Sequence, residues 1–89
     1  MKNGIYILFN TLTNRYERTF ESPTDKSASL AFKESSSMIP NNEYLEICHI
    51  ADVEVETGLV TPLSAPLRVE KMKAEDSEPL INQIEKKSE

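Results

Sequence analysis

The chain is expected to fold as a small α+β domain, an antiparallel β-sheet carrying one helix in the order ββαββ. Three observations predict this. Short β-branched and aromatic runs alternate with polar residues, as half-buried strands do. One segment opens with a helix-start signature. A length of 89 residues allows one domain with a modest core.

Each element follows from its residues. Ile5-Tyr6-Ile7-Leu8-Phe9 is β-branched and aromatic and reads as the first strand. Asn10 to Asn14 is a polar turn around Leu12. Arg15 to Glu21 alternates Arg15, Glu17 and Thr19 with Tyr16, Arg18 and Phe20, giving the second strand of a hairpin. Ser22-Pro23-Thr24-Asp25 then supplies an N-cap serine, a proline at the first helical position and an early acid. Ala28, Ala31, Phe32 and Met38 form the helical stripe, and Pro40-Asn41-Asn42 stops it. Glu43 to Val55 is a second extended region centred on Tyr44 to Ile50. Gly58, in the turn Glu56-Thr57-Gly58, supplies a positive φ. Leu59-Val60-Thr61 begins a return strand that Pro62 and Pro66 keep short or at an edge.

The domain is expected to span residues 1–69, and residues 70–89 to form a polar, flexible tail. Within that tail, Leu80, Ile81 and Ile84 fall together if one or two helical turns form.

The strands have two apolar faces. Ile5, Ile7 and Phe9 alternate with Tyr6 and Leu8, while Leu45 and Ile47 oppose Tyr44, Cys48 and Ile50. Such strands are usually covered on both sides, and one helix covers one. A homo-oligomer, most simply a dimer, is the expected remedy. Tyr44, Ile47, Cys48 and Ile50 are its candidate interface residues.

Several function classes have little support. Cys48 is the single cysteine, which excludes an internal disulfide and fits a reducing compartment. The start Met1-Lys2-Asn3-Gly4 has one basic residue, and Ile5 to Phe9 is too short for a signal core or a membrane span. The expected location is cytoplasmic, with no membrane partner. Two distant glycines, Gly4 and Gly58, make no phosphate-cradling loop. Cys48 and His49 adjoin, so on a strand they face opposite sides, and together they fall short of a zinc ligand set. No catalytic residue, cofactor or metal is expected, and the protein is read as a non-enzyme. Asp52, Glu54 and Glu56 share one strand face. A cation site and a docking patch for a basic partner are two readings, and a solvated face that resists aggregation is the favoured third.

Charge is unevenly spread. Residues 1–40 hold five cations against four acids, whereas residues 41–70 hold one against six. Phosphate neutralisation supplies most non-specific nucleic-acid affinity, so any DNA contact belongs to the first half. Lys2, Arg15, Arg18, Lys26 and Lys33, with Tyr16 as a stacking aromatic, are the candidate nucleic-acid-binding residues. Glu17 and Glu21, interleaved among them, weaken that reading.

From Ile5 to Val69 the chain resembles the small nonstructural protein of gokushoviruses, single-stranded DNA phages of the microvirus group. The resemblance lies in the opening Tyr6-Ile7-Leu8-Phe9-Asn10 and a second strand ending at Phe20. It continues through a helix with Ala28 and Ala31-Phe32. It is best in Asn42 to Ile50, followed by Asp52, Glu56-Thr57-Gly58 and an exit through Pro62 and Pro66. Ile50-Ala51-Asp52 departs from the Gly-x-aromatic-Asp run usual before that turn, as does the extended Val53-Glu54-Val55. What the resemblance implies is an accessory role in single-stranded DNA genome replication, in the host bacterial cytoplasm, with DNA as partner. The competing hypothesis is a protein–protein adaptor that docks replication machinery through the acidic half and the tail.

Overall fold

The computed structural model of the chain describes residues 1–72. It contains β1 (Lys2–Asn10), β2 (Arg15–Ser22), α1 (Asp25–Ser36), a 3-10 turn (Asn42–Tyr44), β3 (Leu45–Glu54) and β4 (Val60–Lys71). The strands form one antiparallel sheet in the order β2-β1-β3-β4. The α+β class, with a four-stranded antiparallel sheet and one helix, is thus shown. The 3-10 turn is an element that strand and helix patterning did not signal.

The β1–β2 turn is closed by Asn10, whose Oδ1 accepts the backbone N–H groups of Leu12 and Thr13. Asn14 completes it in the left-handed region at φ 59°, a conformation asparagine tolerates. Gly58 takes φ 74°, as expected of the turn before β4.

The helix starts two residues later than the sequence suggests. Ser22 remains in the ladder as the partner of Gly4, and Pro23 has no N–H to offer. Thr24 is the N-cap. Its backbone is extended, its hydroxyl accepts the N–H of Ser27, and the Ser27 side chain accepts the N–H of Thr24. At the other end the Asn42 side chain donates to the carbonyls of Ser36 and Ser37. The buried stripe is Ala28, Phe32 and Ser36, at i, i+4 and i+8. Met38 lies outside it and is 90% exposed, because α1 has already ended.

The core lies between α1 and one face of the sheet. Tyr6, Ala28, Phe32, Leu45 and Ile47 are buried there, with Leu8, Phe20, Val69 and Met72 packed around them. Burying each large apolar side chain stabilises the fold by about 1.5–3 kcal/mol. The register explains the sorting. Tyr6 pairs with Phe20 and His49, and Leu8 with Ile47, on the helix side. Ile5 pairs with Ala51, Ile7 with Cys48 and Phe9 with Tyr16 on the opposite side.

Two expectations are corrected. Of the two alternatives for the return strand, short or at an edge, the second holds: β4 is an edge strand of twelve residues that includes Glu70 and Lys71, so the domain extends past residue 69. Pro62 and Pro66 are accommodated because β4 is an edge, where an outward position needs no donor. The ladder is also irregular there. From Ala51↔Pro62 to His49↔Leu67, β4 advances five positions and β3 only two. The rest of the expected tail, including Leu80, Ile81 and Ile84, lies outside the described residues.

The second correction concerns the interface set. Ile47 is fully buried under α1, and Tyr44 lies in the 3-10 turn, its carbonyl accepting from the N–H and hydroxyl of Thr11. Ile47 is therefore not placed to contact a second chain across the sheet, whereas the Tyr44 side chain is 37% exposed beside the start of β3. Cys48 does lie on the face away from α1. Ile50 is the extra residue of a bulge between Ile5↔Ala51 and Tyr6↔His49, and is half-buried. Among the described residues no helix is long and apolar enough to cross a membrane.

Candidate nucleic-acid interface

The site begins with a bulge in β2. Between Ile7↔Thr19 and Phe9↔Tyr16, β1 advances two positions and β2 three. One extra residue in β2 reverses the alternation on either side of it. Arg15 and Arg18 are of opposite parity in sequence and would point apart on a regular strand. The bulge returns both to the side of the sheet that carries α1.

That side holds an open cleft of about 750 Å³ at the hairpin end. Leu8, Phe20, Phe32 and Leu45 line it from the core, and Ala31, Ile39 and Pro40 wall it from the helix and the loop beyond. Asn10, Glu17, Arg18, Ser35, Ser36 and Asn41 supply its polar groups. The volume falls within the about 300–1,000 Å³ typical of small-molecule sites. Apolar walls accept a flat ring, and Arg18 on the lining, with Arg15 on the same side of the hairpin, supplies charge for a phosphate. Glu17 on the same lining offsets part of that charge.

The other expected DNA-binding residues are dispersed. Lys2 starts β1 and pairs with Glu54, at the opposite end of the sheet from Arg15, which pairs with Asn10. From position 2 to position 10 of one strand is about 27 Å at about 3.3–3.4 Å per residue. Lys26 sits in the first turn of α1, and Asp25 beside it bonds to Tyr6. Lys33 is in the last turn, where its ammonium lies 3.0 Å from the Glu70 carboxylate. Tyr16 is 52% exposed, but it packs on Phe9, ring centroids 4.6 Å apart, on the face away from the cleft. Of the six residues, the structure brings Arg15 and Arg18 together at the cleft and leaves Lys2, Tyr16, Lys26 and Lys33 elsewhere. Sequence reasoning missed the post-helix residues Ile39, Pro40 and Asn41. Asn41, at φ 61°, marks where the chain turns back along the cleft.

The acidic face is internally occupied. The N-terminal ammonium donates to Glu54 at 2.9 Å and to Glu56 at 3.2 Å, which raises the pKa of the amine. Hydrogen bonding with the Glu56 side chain, and then with this ammonium, holds the Glu54 carboxyl below its ordinary pKa. The His49 imidazole lies 2.8 Å from the Asp52 carboxylate and 2.9 Å from the Ala51 carbonyl. Both partners are acceptors, so Nε2 carries the hydrogen and donates. This clamp closes the Ile50 bulge. Among the described residues no group of three or more ligating side chains is placed to hold a metal ion.

Cys48 and His49 diverge across the sheet. His49 stacks on Tyr6 with ring centroids 5.0 Å apart, while Cys48 pairs with Ile7 on the other side. Burial and the nearby Glu46 carboxylate push the Cys48 thiol pKa up, leaving it the protonated, weakly nucleophilic form.

Comparison with protein-family models, curated proteins and solved structures returns no match for this chain.

Proposed function

We propose that the protein is a non-enzymatic accessory factor of single-stranded DNA genome replication, of the kind found in microvirus phages. In this reading it binds DNA in the cleft between α1 and the β1–β2 hairpin, in the cytoplasm of a bacterial host. The observation that carries it is the β2 bulge, which sets Arg15 and Arg18 on the same side as an open, largely apolar cleft of about 750 Å³. A base enters against Phe20 and Ile39, above the buried ring of Phe32, and the arginines meet the flanking phosphates. The partners are DNA, single-stranded by preference because a stacked duplex does not present its ring faces, and a second copy of the chain.

The test is fluorescence anisotropy with single- and double-stranded oligonucleotides at two salt concentrations. Single strands are expected to bind more tightly, with affinity falling steeply as salt rises. Arg15→Ala with Arg18→Ala should weaken binding to all sequences alike, since phosphate contacts carry no sequence information. The salt slope should fall by about 0.7 for each phosphate that the variant no longer neutralises. Unchanged binding in that variant, or binding indifferent to salt, favours the adaptor reading instead. The same apolar cleft would then take a hydrophobic side chain of a replication protein.

A further inference from the structure

We infer that a second copy of this chain covers the sheet face opposite α1, making a two-sheet sandwich across a two-fold axis. This rests on the oligomeric part of the reading above and is independent of DNA binding. Half-buried Ile5, Ile7 and Phe9 form a contiguous apolar patch on the two central strands, with the small side chains of Cys48 and Ala51 buried among them, and no described element lies over it.

Size supports a protein partner. Four strands about 4.8 Å apart and about eight residues long at about 3.3 Å each present roughly 500 Å². Two copies would bury roughly 1,000 Å², the lower bound of a specific interface. The edges are poor alternatives, because β2 is bulged and β4 carries two prolines and irregular pairing.

Charge selects a copy of the same chain. By register, Glu21 lies on this face beside Ile5, at one corner of the sheet. Arg68 beside Cys48, and Lys71 beside Glu46, lie toward the diagonally opposite corner; Arg68 is 3.9 Å from the Glu46 carboxylate, so two cations and one acid give that corner a net positive charge. A two-fold axis that crosses the two sheets near a right angle brings each copy's Glu21 onto the other's Arg68 and Lys71. Orthogonal packing of this kind is an established sheet-on-sheet geometry.

The experiment is sedimentation velocity of the full chain across the micromolar range, for wild type and for variants of this face. A dimer that dissociates on dilution is expected. Ile7→Lys should raise the dimer dissociation constant by at least roughly a hundredfold, since it buries an unpaired charge at the contact, while circular dichroism keeps its native form. If that variant fails to fold, Thr19→Lys, at the exposed position that pairs with Ile7 on the same face, decides in its place. A wild-type monomer at all concentrations, or a folded Thr19→Lys variant that dimerises as tightly as wild type, overturns the inference. A wild-type monomer that becomes a dimer in Leu80→Asp overturns it in favour of the chain's own C-terminal segment. Absence of DNA binding by a wild-type dimer would refute the cleft reading alone.

Discussion

The Tyr6 hydroxyl donates a 2.7 Å hydrogen bond to Oδ1 of Asp25, tying the middle of β1 to the first turn of α1. The Tyr6 ring is 1% exposed and stacks between Phe20, 5.6 Å away, and His49, 5.0 Å away. One side chain therefore links three strands and the helix.

Replacing Tyr6 with phenylalanine keeps the ring and removes that bond, so stability should fall by about 1–2 kcal/mol, measured by urea denaturation. Alkaline stability should change as well. Burial, the bond to Asp25 and the carboxylates of Asp25 and Asp52 all raise the Tyr6 pKa above the ordinary 10.0. The folded state keeps a proton that the unfolded chain releases. This contribution is complete below pH 10.0 and declines above it, at about 1.4 kcal/mol per pH unit. Wild type should lose more stability above that pH than Tyr6→Phe. Parallel profiles for the two proteins would count against this account.

Gly4 is fixed by the same ring. A Cβ at position 4 would lie 2.6 Å from the Tyr6 hydroxyl oxygen and 2.8 Å from two ring carbons. Gly4→Ala must displace a buried ring held on both sides, and should cost about 1–3 kcal/mol. Thermal denaturation reads this as a clear drop in Tm. Gly58→Ala meets no neighbour but is strained by its φ of 74°, so its cost should be of backbone origin and unaffected by Tyr6→Phe.

Thr24→Ala should cost about 1 kcal/mol, because it removes the hydroxyl that accepts the Ser27 N–H. Asp25→Asn leaves that cap in place and weakens the Tyr6 bond instead. Thr24→Ala combined with Tyr6→Phe tests whether the two interactions act separately. Losses that add within about 0.5 kcal/mol are expected.

Lys2→Ala and Lys26→Ala should change oligonucleotide affinity far less than the Arg15 and Arg18 substitutions do. Lys2 lies about 27 Å along β1 from the residue that pairs with Arg15, farther than a Debye length at physiological salt. Equal losses at all four positions in the anisotropy titration would place the DNA along the whole first half of the chain, not at the cleft.

Much of the fold was legible in the residues. Ile5 to Phe9 could be assigned to a strand and split into its two faces, because side chains alternate with period two whatever the partner. Gly58 announced its turn, and Pro40 with Asn42 announced the end of the helix. The cap was misplaced by two residues because Ser22 and Thr24 are chemically equivalent caps. Only the ladder, which holds Ser22 against Gly4, decides between them. Ile47 and Cys48 both read as apolar strand residues, and sequence could not say which of the two would meet α1.

The site depended most on tertiary structure. The sequence by itself determined the two apolar faces of β1, the lack of a phosphate loop, and the net positive charge of the first forty residues. These are properties of residue type and spacing, which the chain carries into any fold. The three-dimensional pairing decided that Arg15 and Arg18 share a side, that Lys2 lies at the far end, and that Glu54 and Glu56 are held by the N-terminal amine. A bulge leaves no mark of its own in residue order. It arises when two strands of unequal length must meet both a turn at one end and a buried pair at the other, and that constraint exists only once the strands are joined.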